Sequence, residues 1–347
     1  MLKKCTAFLA ALMTFNMVIP SFSSAAEAYL TKDAQLEYAE NVLDTYLSSY
    51  DVNENEIYLS TPYNVYDMEN EKETNDVYVV FEDDSVIGML TVTEINGEYY
   101  SSFEFNNFET LQEIYDNNES FSLTCSNEQL YINKESEIYS VEDANITVEC
   151  EFSLISEVQN ELEKEYKVDI SNIQTYANVY SYQKNLPVPI VPNVNINGGL
   201  CWAAAIASKH DYLHGATATA TDVYYILKGM YNTTPYGVPE WIKKGYQYFN
   251  IPCTTFYRMV DCVEIFNNIE NNNPIHIDGF DNNVGHSVLI SGITINNDGS
   301  GIYRLVDSNR MSYVDIAVSE ATMIGENNFV YATGYGYTFT DWTRSYY

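Results

Sequence analysis

Gly198-Gly199-Leu200-Cys201-Trp202-Ala203-Ala204-Ala205-Ile206-Ala207-Ser208 is the most informative stretch of this 347-residue chain. Two glycines supply a turn, and the alanine-rich run that follows favours a helix. Cys201 therefore stands at a helix start, where unsatisfied N–H groups and the macrodipole favour an anion. In such a setting a cysteine pKa of about 8.5 can fall to roughly 3.5–7.5. A thiolate is the nucleophile of acyl-transfer chemistry, and it needs a base, usually histidine, and a group that orients the base.

The residues after Cys201 set its surroundings. The helix is expected to run to Leu213 and stop at Gly215. Asp222–Met230, Pro239–Phe249 and Asp261–Glu270 read as three more helices, one with proline in its first turn. The pattern then turns to strands at 274–277, 287–293, 303–306, 329–333 and 335–339. Helices followed by an antiparallel sheet indicate an α+β fold. His286 follows Gly285 and opens the apolar run Ser287-Val288-Leu289-Ile290-Ser291-Gly292, so a strand holds its ring. Asp307 closes the next strand in Arg304-Leu305-Val306-Asp307-Ser308-Asn309, with Asn309 as the alternative orienting residue. His276 reads as a structural strand residue, and His210 and His214 lie too far along the Cys201 helix to reach its thiol.

Cys201-Trp202 at a helix start, Gly285-His286 before an apolar strand, and Asp307 after the next strand resemble the papain-like cysteine peptidases. The nearest flavour is the compact bacterial type of staphopain, streptopain and the double-glycine leader peptidase domains. The resemblance spans about residues 186–340 and lies in order and spacing. It implies that Cys201 is the nucleophile, His286 the general base and acid, and Asp307 the orienter, acting on protein or peptide substrates without a cofactor or metal. The family also places a glutamine about six residues before the cysteine for the oxyanion hole; here that position holds Asn195.

The formal net charge of −33 is concentrated in the first half. Residues 27–175 hold 35 Asp and Glu against 5 Lys, whereas residues 176–347 hold 14 against 9 Lys and Arg. This shift suggests two domains, 27–180 and 181–347, and argues against nucleic acid as a partner. In the acidic half, Lys32–Tyr50 reads as an amphipathic helix, and Val77–Phe81 and Val86–Val92 as strands. Asn96-Gly97 marks a hairpin, Phe105–Tyr115 a second helix, and Glu161–Lys167 a charged helical stretch. The linker is placed in Asn172–Pro192. By the same resemblance, this half is a folded prosegment that acts as an intramolecular inhibitor of a zymogen.

Lys3 and Lys4, the apolar run Ala7–Ile19 and the small residues up to Ala28 read as a secretory signal over residues 1–26. The run is too short for a comfortable membrane span. The expected protein is therefore secreted or associated with the cell surface. Five cysteines would remain, and pairing Cys125 with Cys150 and Cys253 with Cys262 would leave Cys201 as a thiol. Two competing readings keep the fold. One is an acyl transferase to amines; the other is an inactive surface module that binds a partner through its many tyrosines.

Overall fold

A computed structural model of the chain describes residues 32–48, 50, 56–68, 72–106, 108–126, 129–134, 137–141, 162–168, 180–196, 198–281 and 284–347. The expected signal segment, Cys150 and the first part of the expected linker lie outside the described residues.

The amphipathic run at the start forms α1 (Lys32–Leu47). The short strands β1 (Ile57–Leu59) and β2 (Tyr63–Asp67) follow. The alternating runs beyond them form β3 (Lys72–Glu82), β4 (Ser85–Ile95) and β5 (Glu98–Phe105). Asn96 and Gly97, both at positive φ, close the β4–β5 hairpin as their residue types predict. The second helix, α2 (Glu109–Asn117), begins later than expected because Phe105 still belongs to β5. Then come β6 (Ser122–Ser126), β7 (Gln129–Lys134), β8 (Glu137–Ser140), β9 (Tyr166–Val168) and β10 (Tyr180–Asn185).

The second half opens with three helices: α3 (Cys201–His214), α4 (Ala220–Tyr231) and α5 (Pro239–Tyr248). A short β11 (Thr255–Phe256) and α6 (Cys262–Glu270), capped by Asp261, follow. The sheet strands are β12 (Ile275–Asp281), β13 (Val284–Asn296), β14 (Gly301–Asp307) and β15 (Ser312–Val318). After α7 (Glu320–Met323), β16 (Tyr331–Ala332) and β17 (Thr338–Phe339) make a separate hairpin, and β18 (Asp341–Tyr346) returns to the sheet.

Three expectations need correction. Glu161–Lys167 is not a helix among the described residues: Leu162–Glu165 is irregular and β9 pairs antiparallel with β1, so the sheet edge overrides helical propensity. The end of the expected linker is structural, because β10 pairs with β13, and Leu186, Val188 and Val191 are buried. Cys253 and Cys262 are not joined to each other; each is an unbonded thiol. Burial raises both thiol pKa values, that of Cys262 to about 11, so neither is primed for oxidation.

The two halves share one mostly antiparallel sheet of sixteen strands. Its main path runs β11-β18-β12-β13-β14-β15-β5-β4-β3-β2-β6-β7-β8, and β5 joins β15 through Ser102↔Ile316 and Phe103↔Asp315. One apolar core crosses this seam, from Val65, Phe81 and Leu123 to Val288, Ile316 and Phe339. A second core packs Trp202 and Ile206 of α3 against Val223, Leu227, Trp241 and Ile242 of α4 and α5. In the third, Leu43, Tyr46 and Leu47 of α1 cover Tyr78, Leu90 and Phe103, and also Ile302 of β14. The composition boundary is therefore not a packing boundary. Apolar side chains on both sides of the seam gain more from burial than the difference in surface charge opposes.

Candidate active site

The turn before α3 depends on backbone conformation that glycine adopts without strain. Gly198 and Gly199 sit at φ 87° and 98°, in the left-handed region. Asn193 Oδ1 accepts the Leu200 N–H at 2.6 Å, which ties the turn to the incoming chain. Leu200 takes the N-cap position without a side-chain cap, and the first turn of α3 holds no acidic residue. The positive end of the helix is thus left uncompensated by carboxylates of its own, at the residue that carries the thiol. Cys201 is 8% exposed, at the floor of a cleft of about 190 Å³. Leu200, Trp202, Pro235, Tyr236, Phe280, Gly285 and His286 are among the cleft walls.

β13 brings His286 to the same cleft. The preceding Gly285 faces the Phe280 ring, where a Cβ would lie 3.1 Å away. The imidazole stacks on Phe339 and is sealed from solvent. Its Nε2 stands 3.1 Å from Asp307 Oδ1 at the end of β14. Nδ1 is buried without a hydrogen-bond partner, and the ring lines the same cleft as Cys201. Burial by itself would lower the His286 pKa. The Asp307 charge and hydrogen bond, with Cys201 adding to them, instead hold it well above the ordinary histidine value.

Asp307 is fully buried and accepts four hydrogen bonds. His286 Nε2 and the Asn309 backbone N–H, at 2.8 Å, reach Oδ1. The Tyr331 hydroxyl at 2.5 Å and the Tyr335 hydroxyl at 3.0 Å reach Oδ2. Burial pushes the carboxyl pKa up, but the His286 charge and these donors bring it down to about 2. Asp307 is therefore a fixed anion at neutral pH. Asn309, the alternative orienter, serves Asp307 through its backbone.

Not every expected site residue joins this group. Asn195 is exposed and does not line the cleft, whereas Asn193, two residues earlier, holds the turn. No sequence signal separates Asn193 from Asn195 and Asn197 in the same run. Tyr331 and Tyr335 were missed because an aromatic residue in a short strand reads as core. His276 is buried and bonded through Nδ1 to the Tyr246 hydroxyl at 2.9 Å, and its Nε2 lies 3.3 Å from Asp278 Oδ1. Asp278 lines the cleft and is further held by Ser287 Oγ at 2.6 Å and the Tyr346 hydroxyl at 2.7 Å. His210, on a far turn of α3, contacts Asp211 and also Phe249, the C-cap of α5. The described residues that line the cleft all fall between 196 and 287. Among the described residues no helix is long and apolar enough to cross a membrane, and no His, Cys, Asp and Glu cluster could hold a metal ion. No family model and no curated protein matches this chain.

Proposed function

We propose that this chain is a papain-like cysteine peptidase, exported by its N-terminal signal, that hydrolyses peptide bonds through Cys201, His286 and Asp307. One observation carries the reading. A fully buried histidine has a buried carboxylate on Nε2 and lines the same cleft as a helix-start cysteine. Asp307 stabilises the imidazolium form of His286, and the helix start presents the Cys201 sulfur to the same cleft.

Each step then follows from position. The Cys201 sulfur attacks the scissile carbonyl carbon, and the carbonyl electrons move to oxygen. The Cys201 backbone N–H, unsatisfied at the helix start, can donate to that oxyanion. His286 gives its proton to the departing amine as the thioester forms. A water then loses a proton to His286 and attacks the thioester, releasing the acid and restoring the thiol pair. Asp307 stays ionised throughout and keeps the ring in register. The exposed Tyr236 and the Phe280 ring beside the cleft provide apolar surface for a substrate side chain.

The test is covalent labelling. An epoxide inhibitor of cysteine peptidases should modify Cys201 and leave the other cysteines intact, read at the peptide level by mass spectrometry. Casein should be cleaved without incorporation of an added amine. Absence of labelling at Cys201 would overturn the reading, and amine incorporation would move it to acyl transfer.

A further inference from the structure

The Asp307 carboxylate owes two of its four donors to one short segment, the β16–β17 hairpin and its turn. The catalytic half does not hold that segment alone. Ser102 Oγ, on β5, donates to the Ala332 carbonyl at 2.5 Å. Asn75 Nδ2, on β3, donates to the Thr333 carbonyl at 2.9 Å and reaches the Tyr337 carbonyl at 3.4 Å. The Thr338 hydroxyl donates back to Asn75 Oδ1 at 3.3 Å. Arg310, three residues beyond Asp307, donates from Nε to Glu104 Oε2 on β5 at 2.8 Å. Gly334 packs so close to Arg310 that a Cβ there would lie 2.8 Å from Nη1. Asn75, Ser102 and Glu104 are all buried, and all belong to the acidic half.

We infer that the acidic half is a positioning element of the catalytic centre: Asn75, Ser102 and Glu104 fix the hairpin whose tyrosines fix Asp307, so removing this half disarms the site. The inference rests on the Cys201–His286–Asp307 reading. Its physical basis is that a buried carboxylate stays ionised and aimed only while its donors stay in place. Loss of β5 would also leave Arg310 without its carboxylate partner and expose the edge of β15. A detachable inhibitor would cover the cleft; this half braces the orienting residue from behind.

The readout is the pH profile of Cys201 alkylation by iodoacetamide in the full chain, followed at the Cys201 peptide. The groups that face His286 are Cys201 of α3, Asp307 of β14 and Tyr335 of the hairpin, with Tyr331, Arg310 and Glu104 behind Asp307. The double variant Asn75→Ala/Ser102→Ala should lower the pH of the imidazolium limb by about one unit. It should also reduce kcat roughly tenfold or more with KM nearly unchanged. Ile132→Val, a core truncation on β7, should lower Tm without moving the profile. A chain cut at a protease site introduced between residues 170 and 178 should keep wild-type turnover while its halves stay together. A double variant whose profile and kcat match those of Ile132→Val would overturn the inference alone. So would turnover that rises when the cut halves are separated. A wild-type profile indifferent to His286→Ala would bring down the catalytic reading, and the inference with it.

Discussion

His286 Nε2 lies 3.1 Å from Asp307 Oδ1, and both side chains are sealed from water. In that low-dielectric pocket each charge supports the other, so neither residue can be changed without moving the other's protonation. Asp307→Asn keeps the shape but removes the anion. It should lower kcat by roughly 10²-fold and shift the imidazolium limb of the pH–rate profile to lower pH. An unshifted limb would place the histidine's support elsewhere.

Cys201→Ala and His286→Ala should each abolish turnover, and the double variant should be no worse, since the two groups act as a unit. Steady-state peptide hydrolysis by the three variants checks this. Near-normal activity in His286→Ala, with loss in His276→Ala, would exchange the roles of the two histidines.

Stability should carry the same signature. The folded pKa of His286 is raised, so its favourable contribution is fully present below about pH 6.5 and is lost as pH rises through the folded value. The folded pKa of Asp307 is depressed, so its contribution is present above about pH 3.9 and fades as pH falls toward the folded value of about 2. Urea unfolding of wild type and His286→Gln between about pH 5 and about pH 9 should show the gap narrowing on the alkaline side. A gap that widens there contradicts the assignment.

Arg310 and Glu104 form an ion pair across the seam, and both side chains are buried. Glu104→Ala leaves the Arg310 charge without that carboxylate and should cost about 3–5 kcal/mol by denaturant unfolding. Replacing both residues with apolar ones of similar volume should recover most of this. A loss below about 1 kcal/mol in the single variant would mean that the seam is solvated.

Asn193 and Asn195 make opposite predictions. Asn193→Ala removes the nearer of the two acceptors of the Leu200 N–H, leaving the Val194 carbonyl at 3.1 Å, and should lower both Tm and kcat, because the turn presents Cys201. Asn195→Ala, at an exposed position outside the cleft lining, should change kcat by less than about twofold. A large kcat loss in Asn195→Ala with Tm unchanged would return that amide to the oxyanion hole, where the loss of a donor costs about 10²-fold.

Local signals were legible where the chain's own chemistry dictates them. Gly198-Gly199 ahead of an alanine-rich run placed Cys201 at a helix start, and Gly215 ended that helix in the left-handed conformation. Asn96-Gly97 closed its hairpin, and Gly285-His286 opened a strand. Glu161–Lys167 misled because single residues carry helical propensity, while the open edge of β1 supplied the deciding hydrogen bonds. Cys253 and Cys262 misled because an odd count says nothing about distance.

By itself, then, the sequence determined the α+β class, the helix-borne cysteine, and the histidine and aspartate on consecutive strands. These rest on φ preferences and on apolar periodicity within a few residues. Only the tertiary structure decided that the acidic half continues the same sheet, that Tyr331 and Tyr335 clasp Asp307, and that Asn193 rather than Asn195 holds the turn before Cys201. Contacts across the seam join residues far apart in the chain, such as Thr338 with Asn75, 263 positions away. Ladder hydrogen bonds and buried area select such partners only when the whole chain has closed around them.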